Sequence, residues 1–184
     1  MPSKKELRAL VRQRKAAHSP AELHALSMEA CRGVCRSSLW QTARSVLLYH
    51  PLPDEVDVTP LLTEAHRLGM RIYLPVVTGA ESIEARRWTP DTPMLAGAYG
   101  IQEPSGVKIS KGEYGEIDLA IVPGMGFDSQ GHRLGRGKGY YDRLLARMPR
   151  AHLMGVCFPF QLLPGIPSEP HDIDMEEVIS GSGT

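Results

Sequence analysis

Short runs of apolar and β-branched residues alternate along this chain with longer segments whose apolar residues recur at helical spacing. The runs that indicate buried strands end at Pro, Gly or charged residues, and they cover residues 45–50, 71–77, 117–123 and 153–158. A further strand pattern covers residues 83–88. Because helical patterns separate several of these strands, the alternation favours a layered α/β fold with a largely parallel sheet.

Two helix starts near the N-terminus carry the same capping signal. Ser3 precedes Glu6 by three residues, and Ser19 precedes Glu22 in the same way, with Pro20 at the first helical position. In a capping box of this kind, the two side chains satisfy backbone amides that the first helical turn leaves unpaired. We therefore predict one helix from each start, the second running to about residue 38. Further helices are predicted at 59–69 and 140–148.

The composition describes a neutral chain of 184 residues, in which 21 Lys and Arg balance 21 Asp and Glu. Without a net positive field, binding to nucleic acid would need a local patch, so we expect no nucleic-acid partner. The three cysteines lack the paired spacing of a zinc site or a disulfide framework, which fits a reducing compartment. No apolar run is long enough for a signal core or a bilayer, so we expect a cytoplasmic protein without a membrane partner. We interpret residues 1–184 as a single domain with a flexible tail from about residue 180.

The stretch most informative about function is Gly-rich and basic, and it covers residues 131–142, GHRLGRGKGYYD. Three alternating glycines allow backbone amides to approach a phosphate closely, and two cations between them add formal charge. The helix predicted after them presents free amides and the positive end of its dipole. The pattern therefore favours a polyphosphate site formed by Gly135, Arg136, Gly137, Lys138 and Gly139.

This stretch matches neither standard phosphate-binding motif. A Walker loop ending at Lys138 would need Gly at His132 and Ser or Thr at Gly139, and Tyr140 stands where a dinucleotide fingerprint needs its last Gly. An ordinary glycine-rich turn with solvated cations therefore stays open. Asp142 has two interpretations as well, because a carboxylate four residues after Lys138 could either hold a metal beside bound phosphates or pair with that lysine along the helix.

The glycine-rich stretch, the strand before it and the paired tyrosines after it resemble the signature of the 5-formyltetrahydrofolate cyclo-ligase family. Three other family landmarks occur in the expected order along the chain, at residues 4–8, 54–55 and 172–178, so the resemblance covers nearly the whole chain. It implies a three-layer α/β/α fold and an enzyme that closes 5-formyltetrahydrofolate to 5,10-methenyltetrahydrofolate with ATP and Mg²⁺. The implied partners are these small molecules, and we expect a monomer.

The resemblance also implies an ATP site shared by the N-terminal helix and the glycine-rich stretch. Its residues would be Lys4, Lys5, Arg8, Leu134, Gly135, Arg136, Gly137, Lys138, Gly139, Tyr140, Tyr141 and Asp142. Arg136 and Lys138 would be the catalytic cations, and Asp142 and Asp172 the magnesium ligands, with Asp174 as an alternative to Asp172.

Charge spacing at the N-terminus supports the ATP site independently. Lys4 and Arg8 are like charges at i and i+4, which cost a helix about 0.2–0.5 kcal/mol. Such a pair does not stabilise a helix, so it is typical of a ligand site, although two solvated side chains would also fit. For Lys5, Arg12 and Lys15 we expect simple solvation, even though Lys5 belongs to the family landmark.

On the folate side, the resemblance implies contacts from His50, Glu55, Tyr99 and Phe127. A carboxylate such as Glu55 can accept from the N–H edge of a pterin ring, and the aromatic face of Tyr99 can stack on it. For His50, a structural hydrogen bond is an equal alternative. For Phe127, a place in the core is equally compatible with the pattern.

The implied chemistry needs no nucleophilic side chain. The formyl oxygen of an amide cannot leave as oxide, so ATP would phosphorylate it before N10 attacks, with the protein supplying position and charge. Three other functions stay open: a non-catalytic folate- or nucleotide-binding protein, a kinase for another small molecule, and an RNA-binding protein that uses the basic glycine-rich stretch.

Overall fold

A six-stranded sheet organises residues 1–97 and 100–181, the part of the chain that this computed structural model describes. The helices are α1 (Lys4–Ala16), α2 (Pro20–Arg36), α3 (Ser38–Thr42), α4 (Thr59–Arg67), α5 (Lys111–Glu116) and α6 (Tyr140–Leu145). The strands are β1 (Ser45–Leu47), β2 (Arg71–Val77), β3 (Ile83–Trp88), β4 (Met94–Ala96), β5 (Gln102–Pro104), β6 (Leu119–Val122), β7 (Gly126–Phe127), β8 (Arg133–Leu134), β9 (His152–Cys157) and β10 (Glu177–Ser180).

The strand order in the sheet is β10-β9-β6-β1-β2-β3, and every pair is parallel except β2 with β3. The chain adds β2 on one side of β1, and it adds β9 and β10 on the far side of β6. The winding direction therefore reverses between β1 and β6. In open sheets of this kind, ligands bind beyond the carboxyl ends of the strands at such a reversal.

Helices cover both faces of the sheet, because successive strand residues point to opposite sides. Val46 and Leu48 pack with α2, α3 and α4 on one face. Leu47, between them, packs with α5 and α6 on the other. The predicted three-layer α/β/α fold with a largely parallel sheet is thus confirmed.

Both predicted capping boxes form. In α1 the Ser3 hydroxyl accepts from the Glu6 amide at 3.2 Å, and the Glu6 carboxylate accepts from the Ser3 amide at 2.9 Å; α2 begins in the same way. The second helix ends slightly earlier than predicted, because Ser37 adopts an extended conformation and caps the short α3 by accepting from the Leu39 amide.

The described structure extends to Gly181, where the predicted flexible tail was expected to begin, and that tail stays a prediction. Ser180 ends β10 and is 8% exposed. Gly181 lies so close to α2 that a Cβ added to it would stand 2.6 Å from the carbonyl oxygen of Leu26. Residues 182–184 lie outside the described part of the chain, and the single-domain interpretation stays a prediction.

A hairpin that the sequence pattern did not predict lies between β6 and the glycines at residues 135–139. This hairpin consists of β7 and β8, and the Met125 amide donates to the Leu134 carbonyl at 2.7 Å beside it. Leu7 and Val11 of α1 pack against Met125 and Leu134. The hairpin therefore joins the N-terminal helix to the carboxyl edge of the sheet. Within the two described ranges, no helix is both long and apolar enough to cross a bilayer.

Candidate active site

A cavity of about 600 Å³ opens at the carboxyl edge of the sheet, where the winding reverses. Tyr49 and His50 line it directly after β1, and Pro123 and Gly124 line it directly after β6. Its volume lies within the range of small-molecule sites. The predicted site residues that line this cavity are Lys4, Arg8, His50, Glu55, Gly135, Arg136, Gly137, Lys138, Gly139, Tyr140, Tyr141, Asp142 and Asp172. The sequence-predicted ATP and folate residues thus meet in one place.

The loop between β8 and α6, residues 135–139, bends in a way that requires glycine. Gly137 has φ 102° and Gly139 has φ 70°, which side-chain-bearing residues rarely adopt. Because α6 begins only at Tyr140, Lys138 precedes the helix. The alternative of an intrahelical pair is therefore wrong, and among the described residues no ion pair joins Lys138 to Asp142.

Two side chains of α1 reach across to the site. The Arg8 Nε donates to the Gly135 carbonyl at 2.7 Å, and the Lys4 Nζ lies 3.2 Å from Asp172 Oδ2. These contacts account for the like charges at i and i+4 on α1, since each cation has its own partner outside the helix. The N-terminal helix is therefore attached to both the loop and the segment before β10.

Asp172 is the one of the two alternative metal ligands that lines the cavity. Burial raises its pKa, but the Glu169 amide at 2.9 Å and the Lys4 ammonium lower it more, so the net pKa is below the ordinary value. Asp174 instead lies 3.9 Å from His132 and is 55% exposed. The placement favours Asp172, while its role stays a prediction.

Asp54 connects α1 with the glycine loop, a contact that the sequence analysis missed. Its Oδ1 accepts from Arg136 at 2.7 Å and its Oδ2 from Lys15 at 3.1 Å. Burial raises the pKa of Asp54, but the two cations together lower it below its ordinary value. The expectation that Lys15 is simply solvated is wrong, because its side chain is only 12% exposed.

Glu55, the next residue, keeps one carboxylate oxygen available. Its Oε1 accepts from the Leu52 amide at 2.8 Å, whereas Oε2 lies 3.7 Å from Arg136, which is beyond hydrogen-bond distance. Burial raises the pKa of Glu55 above its ordinary value, and the charge of Asp54 adds to this while Arg136 opposes it. Glu55 Oε2 can therefore accept from a ligand donor in the cavity.

Arg133 is a further cavity residue that the sequence analysis did not include. Its Nε donates to the Pro123 carbonyl at 2.6 Å, and its guanidinium lies 5.0 Å from the centre of the Tyr141 ring. Burial lowers its pKa. The available signal was its place in the same glycine-rich stretch, two residues before Gly135.

Three predicted site residues that the structure describes do not line the cavity. Leu134 and Phe127 are fully buried, the first against Leu7 and the second in the core between the sheet and α6, so their proposed ligand contacts are corrected to core packing. Lys5 is exposed on the outer side of α1. Tyr99 lies outside the described residues.

His50 lines the cavity, and its Nδ1 is buried with no hydrogen-bond partner within the described ranges. The structural hydrogen bond that was the alternative to a ligand contact is thus not formed at that atom. Across the same ranges, no three His, Cys, Asp or Glu side chains group into a metal site. Any metal here would depend on fewer protein ligands and on a bound substrate.

Comparisons with known proteins agree with this architecture. A profile of the 5-formyltetrahydrofolate cyclo-ligase family matches residues 1–181. A 5-formyltetrahydrofolate cyclo-ligase of Mycolicibacterium smegmatis is 34% identical, with 97% of this chain and 93% of the relative aligned, and that of Mus musculus is 29% identical over 96% and 93%.

Solved structures give the same result. The NMR structure of Aquifex aeolicus 5,10-methenyltetrahydrofolate synthetase superposes with a TM-score of 0.83 at 34% identity, covering 97% of this chain and 90% of that one. A 5,10-methenyltetrahydrofolate synthetase from Mycoplasma pneumoniae, 23% identical, shares the fold with a TM-score of 0.78 over 98% and 100%. The chain therefore belongs to the 5-formyltetrahydrofolate cyclo-ligase family.

Proposed function

We propose that this chain catalyses the ATP-dependent cyclisation of 5-formyltetrahydrofolate to 5,10-methenyltetrahydrofolate. The observation that carries the proposal is the cavity at the winding reversal. It combines the cations and glycines expected for a polyphosphate with a carboxylate and an apolar wall suited to a flat heterocycle. Family membership makes this pair of substrates the expected one.

The polyphosphate of ATP would bind at the glycine loop. Lys4, Arg8, Arg136 and Lys138 bring positive charge to the cavity lining, and the bends at residues 137 and 139 expose loop amides. The Lys138 side chain is exposed and its ammonium has no hydrogen-bond or ion-pair partner among the described residues, so it can turn to a phosphate without breaking a native contact. This arrangement supports the ATP part of the proposal.

The pterin ring would bind against the remaining wall. Val77, Ile83 and Ile101 supply apolar surface at the ends of β2, β3 and the β4–β5 hairpin. The free oxygen of Glu55 can accept from an N–H at the ring edge, which fixes orientation as well as affinity.

The reaction follows from the electronics of the formyl group. The formyl oxygen attacks the γ-phosphorus of ATP, an O–P bond forms, and the bond to the bridging oxygen breaks to release ADP. N10 then attacks the formyl carbon and loses its proton, while the C–O bond to phosphate breaks and phosphate leaves. We assign Arg136 and Lys138 to stabilising charge on the transferred phosphoryl group.

Mg²⁺ would be held by carboxylates together with the phosphates of ATP. Asp142 lines the cavity with no hydrogen bond or ion pair on its carboxylate among the described residues, and Asp172 lines it as well. One or two carboxylates plus phosphate oxygens are the usual ligands of Mg²⁺ beside a nucleotide. Bound there, the ion would neutralise phosphate charge.

We further propose a cytoplasmic monomer. The glycine loop, the cations and Glu55 of one chain meet in one cavity, which supports a site formed within a single subunit. The cysteines at positions 31, 35 and 157 are all free thiols, which suits a reducing compartment.

The test is the appearance of methenyltetrahydrofolate by its near-ultraviolet absorbance, with ADP measured in parallel. Wild type should form product only with 5-formyltetrahydrofolate, ATP and Mg²⁺ together. Lys138→Ala should lower kcat by about 100-fold, since removal of one group that stabilises transition-state charge costs about this much. Lys111→Ala, which removes an exposed lysine of α5 outside the cavity, is the matched control and should retain full activity. A folded wild-type protein that forms no product would refute the proposal.

A further inference from the structure

We infer that Asp54 is a positioning residue, which holds Arg136 at the glycine loop and keeps it off Glu55. The inference rests on the proposed function, because it concerns how the ATP and folate parts of one cavity are kept apart. Asp54 itself does not line the cavity, so its effect must pass through Arg136.

The geometry places one nitrogen between two carboxylates. Arg136 Nη2 lies 2.7 Å from Asp54 Oδ1 and 3.7 Å from Glu55 Oε2. Only the shorter separation is a hydrogen bond. Because Leu52 occupies Glu55 Oε1, the oxygen that Arg136 leaves free is the one that remains for a ligand.

Asp54 can act in this way because it is itself fixed. Lys15 Nζ holds its second oxygen at 3.1 Å, and the Lys15 side chain is largely buried along α1. The Arg136 side chain is 41% exposed, and besides Asp54 it has Glu55 as a neighbouring carboxylate, 3.7 Å away. Asp54 is thus the anchored member of the pair, and Arg136 takes its position from it.

Loss of the Asp54 charge has two consequences. Glu55 Oε2 becomes the nearest carboxylate oxygen to Arg136, so the guanidinium and the Glu55 carboxylate pair with each other. Each group is then less available to a bound substrate. Arg136 then moves off the phosphoryl group, which lowers kcat. Glu55 loses its free oxygen, which raises the KM for 5-formyltetrahydrofolate.

The experiment is a double-mutant cycle on Asp54→Asn and Arg136→Gln, with both kcat and KM measured. We expect Asp54→Asn to lower kcat between about 10- and 100-fold, the effect of a small misplacement of a catalytic group, and to raise the folate KM. The double variant should be no slower than Arg136→Gln alone, because Asp54 acts through that arginine. Asp54→Glu, which keeps the charge, should recover part of the loss.

Glu116→Gln is the matched control. It breaks an exposed ion pair with Arg71, at the opposite edge of the sheet, and should leave both parameters unchanged. If Asp54→Asn does not fold, because Lys15 is left without its partner, Lys15→Gln with Asp54→Asn replaces it in the cycle. A circular-dichroism spectrum and an unfolding temperature near those of wild type verify folding.

The possible outcomes separate the inference from the proposed function. An active wild type whose Asp54→Asn variant keeps normal kinetics, or whose losses multiply in the double variant, overturns the positioning role and leaves the function standing. A folded but inactive wild type overturns the function, and the positioning role falls with it.

Discussion

Replacing Phe127 with alanine should unfold this protein at a markedly lower temperature without a specific loss of folate binding. The ring is fully buried, and a Cβ built on Gly155 would stand 2.4 Å from it, while one on Gly124 would stand 2.9 Å away. Neither glycine has a side chain that could fill the vacated space, so the cost should lie high in the usual range, at about 4–5 kcal/mol. For a chain of this length that corresponds to a fall in Tm of roughly 8–20 °C.

Thermal unfolding followed by circular dichroism measures the shift, and kinetics well below the transition measure folate KM. Phe160→Ala is the matched control, because Phe160 is only half-buried and stacks on Phe158 at 5.2 Å, so its loss should cost less. If Phe127→Ala melted with wild type and raised only the folate KM, the ring would belong to the ligand site and the packing argument would be refuted.

Three further predictions concern carboxylates of the cavity. Burial raises the pKa of Glu55 above its ordinary value of 4.5, so the folate KM of the wild type should rise as pH falls through that raised pKa. Glu55→Gln should abolish this dependence, and a variant whose folate KM still rises at low pH as in wild type would contradict the prediction. The pKa of Asp172 is lowered, so the contribution of its carboxylate to folding stability is complete above about pH 3.8 and is lost as pH falls through the lowered pKa. Asp172→Asn should flatten the dependence of Tm on pH in that window, and a curve identical to that of wild type would exclude the effect. Asp142→Asn should raise the Mg²⁺ concentration for half-maximal activity about 10–100-fold at unchanged Tm, and a wild-type Mg²⁺ titration would exclude Asp142 as a ligand.

Local signals account for what the sequence predicts well. The capping boxes at Ser3 and Ser19 depend on residues three positions apart, and both form. The buried strands depend on short apolar runs, and the sheet follows from their alternation with helices. The glycine-rich stretch likewise contains its own conformational requirements, so residues 135–139 were identifiable as a loop before any packing was known.

The sequence pattern could not predict contacts between segments that are far apart in the chain. Asp54 meets Lys15 across 39 positions and Arg136 across 82, and nothing local distinguishes Lys15 from a solvated lysine. The β7–β8 hairpin was missed because each of its strands has only two residues. The ligand contacts of Leu134 and Phe127, which lie in these strands, had been implied by the family resemblance, with core packing an equal alternative for Phe127. The strand β10 was missed because its four residues run into a Gly- and Ser-rich end.

The bond between Lys4 and Asp172 spans 168 positions of the chain, and this has a consequence for how the enzyme is made. On a ribosome α1 emerges long before its partner near β10. The glycine loop, to which Arg8 donates a hydrogen bond, is synthesised after α1 and before residue 172. A nascent chain that has not yet reached residue 172 would therefore carry the glycine loop without the ion pair that joins α1 to the segment before β10, and the proposed ATP site would be complete only after that residue has been made.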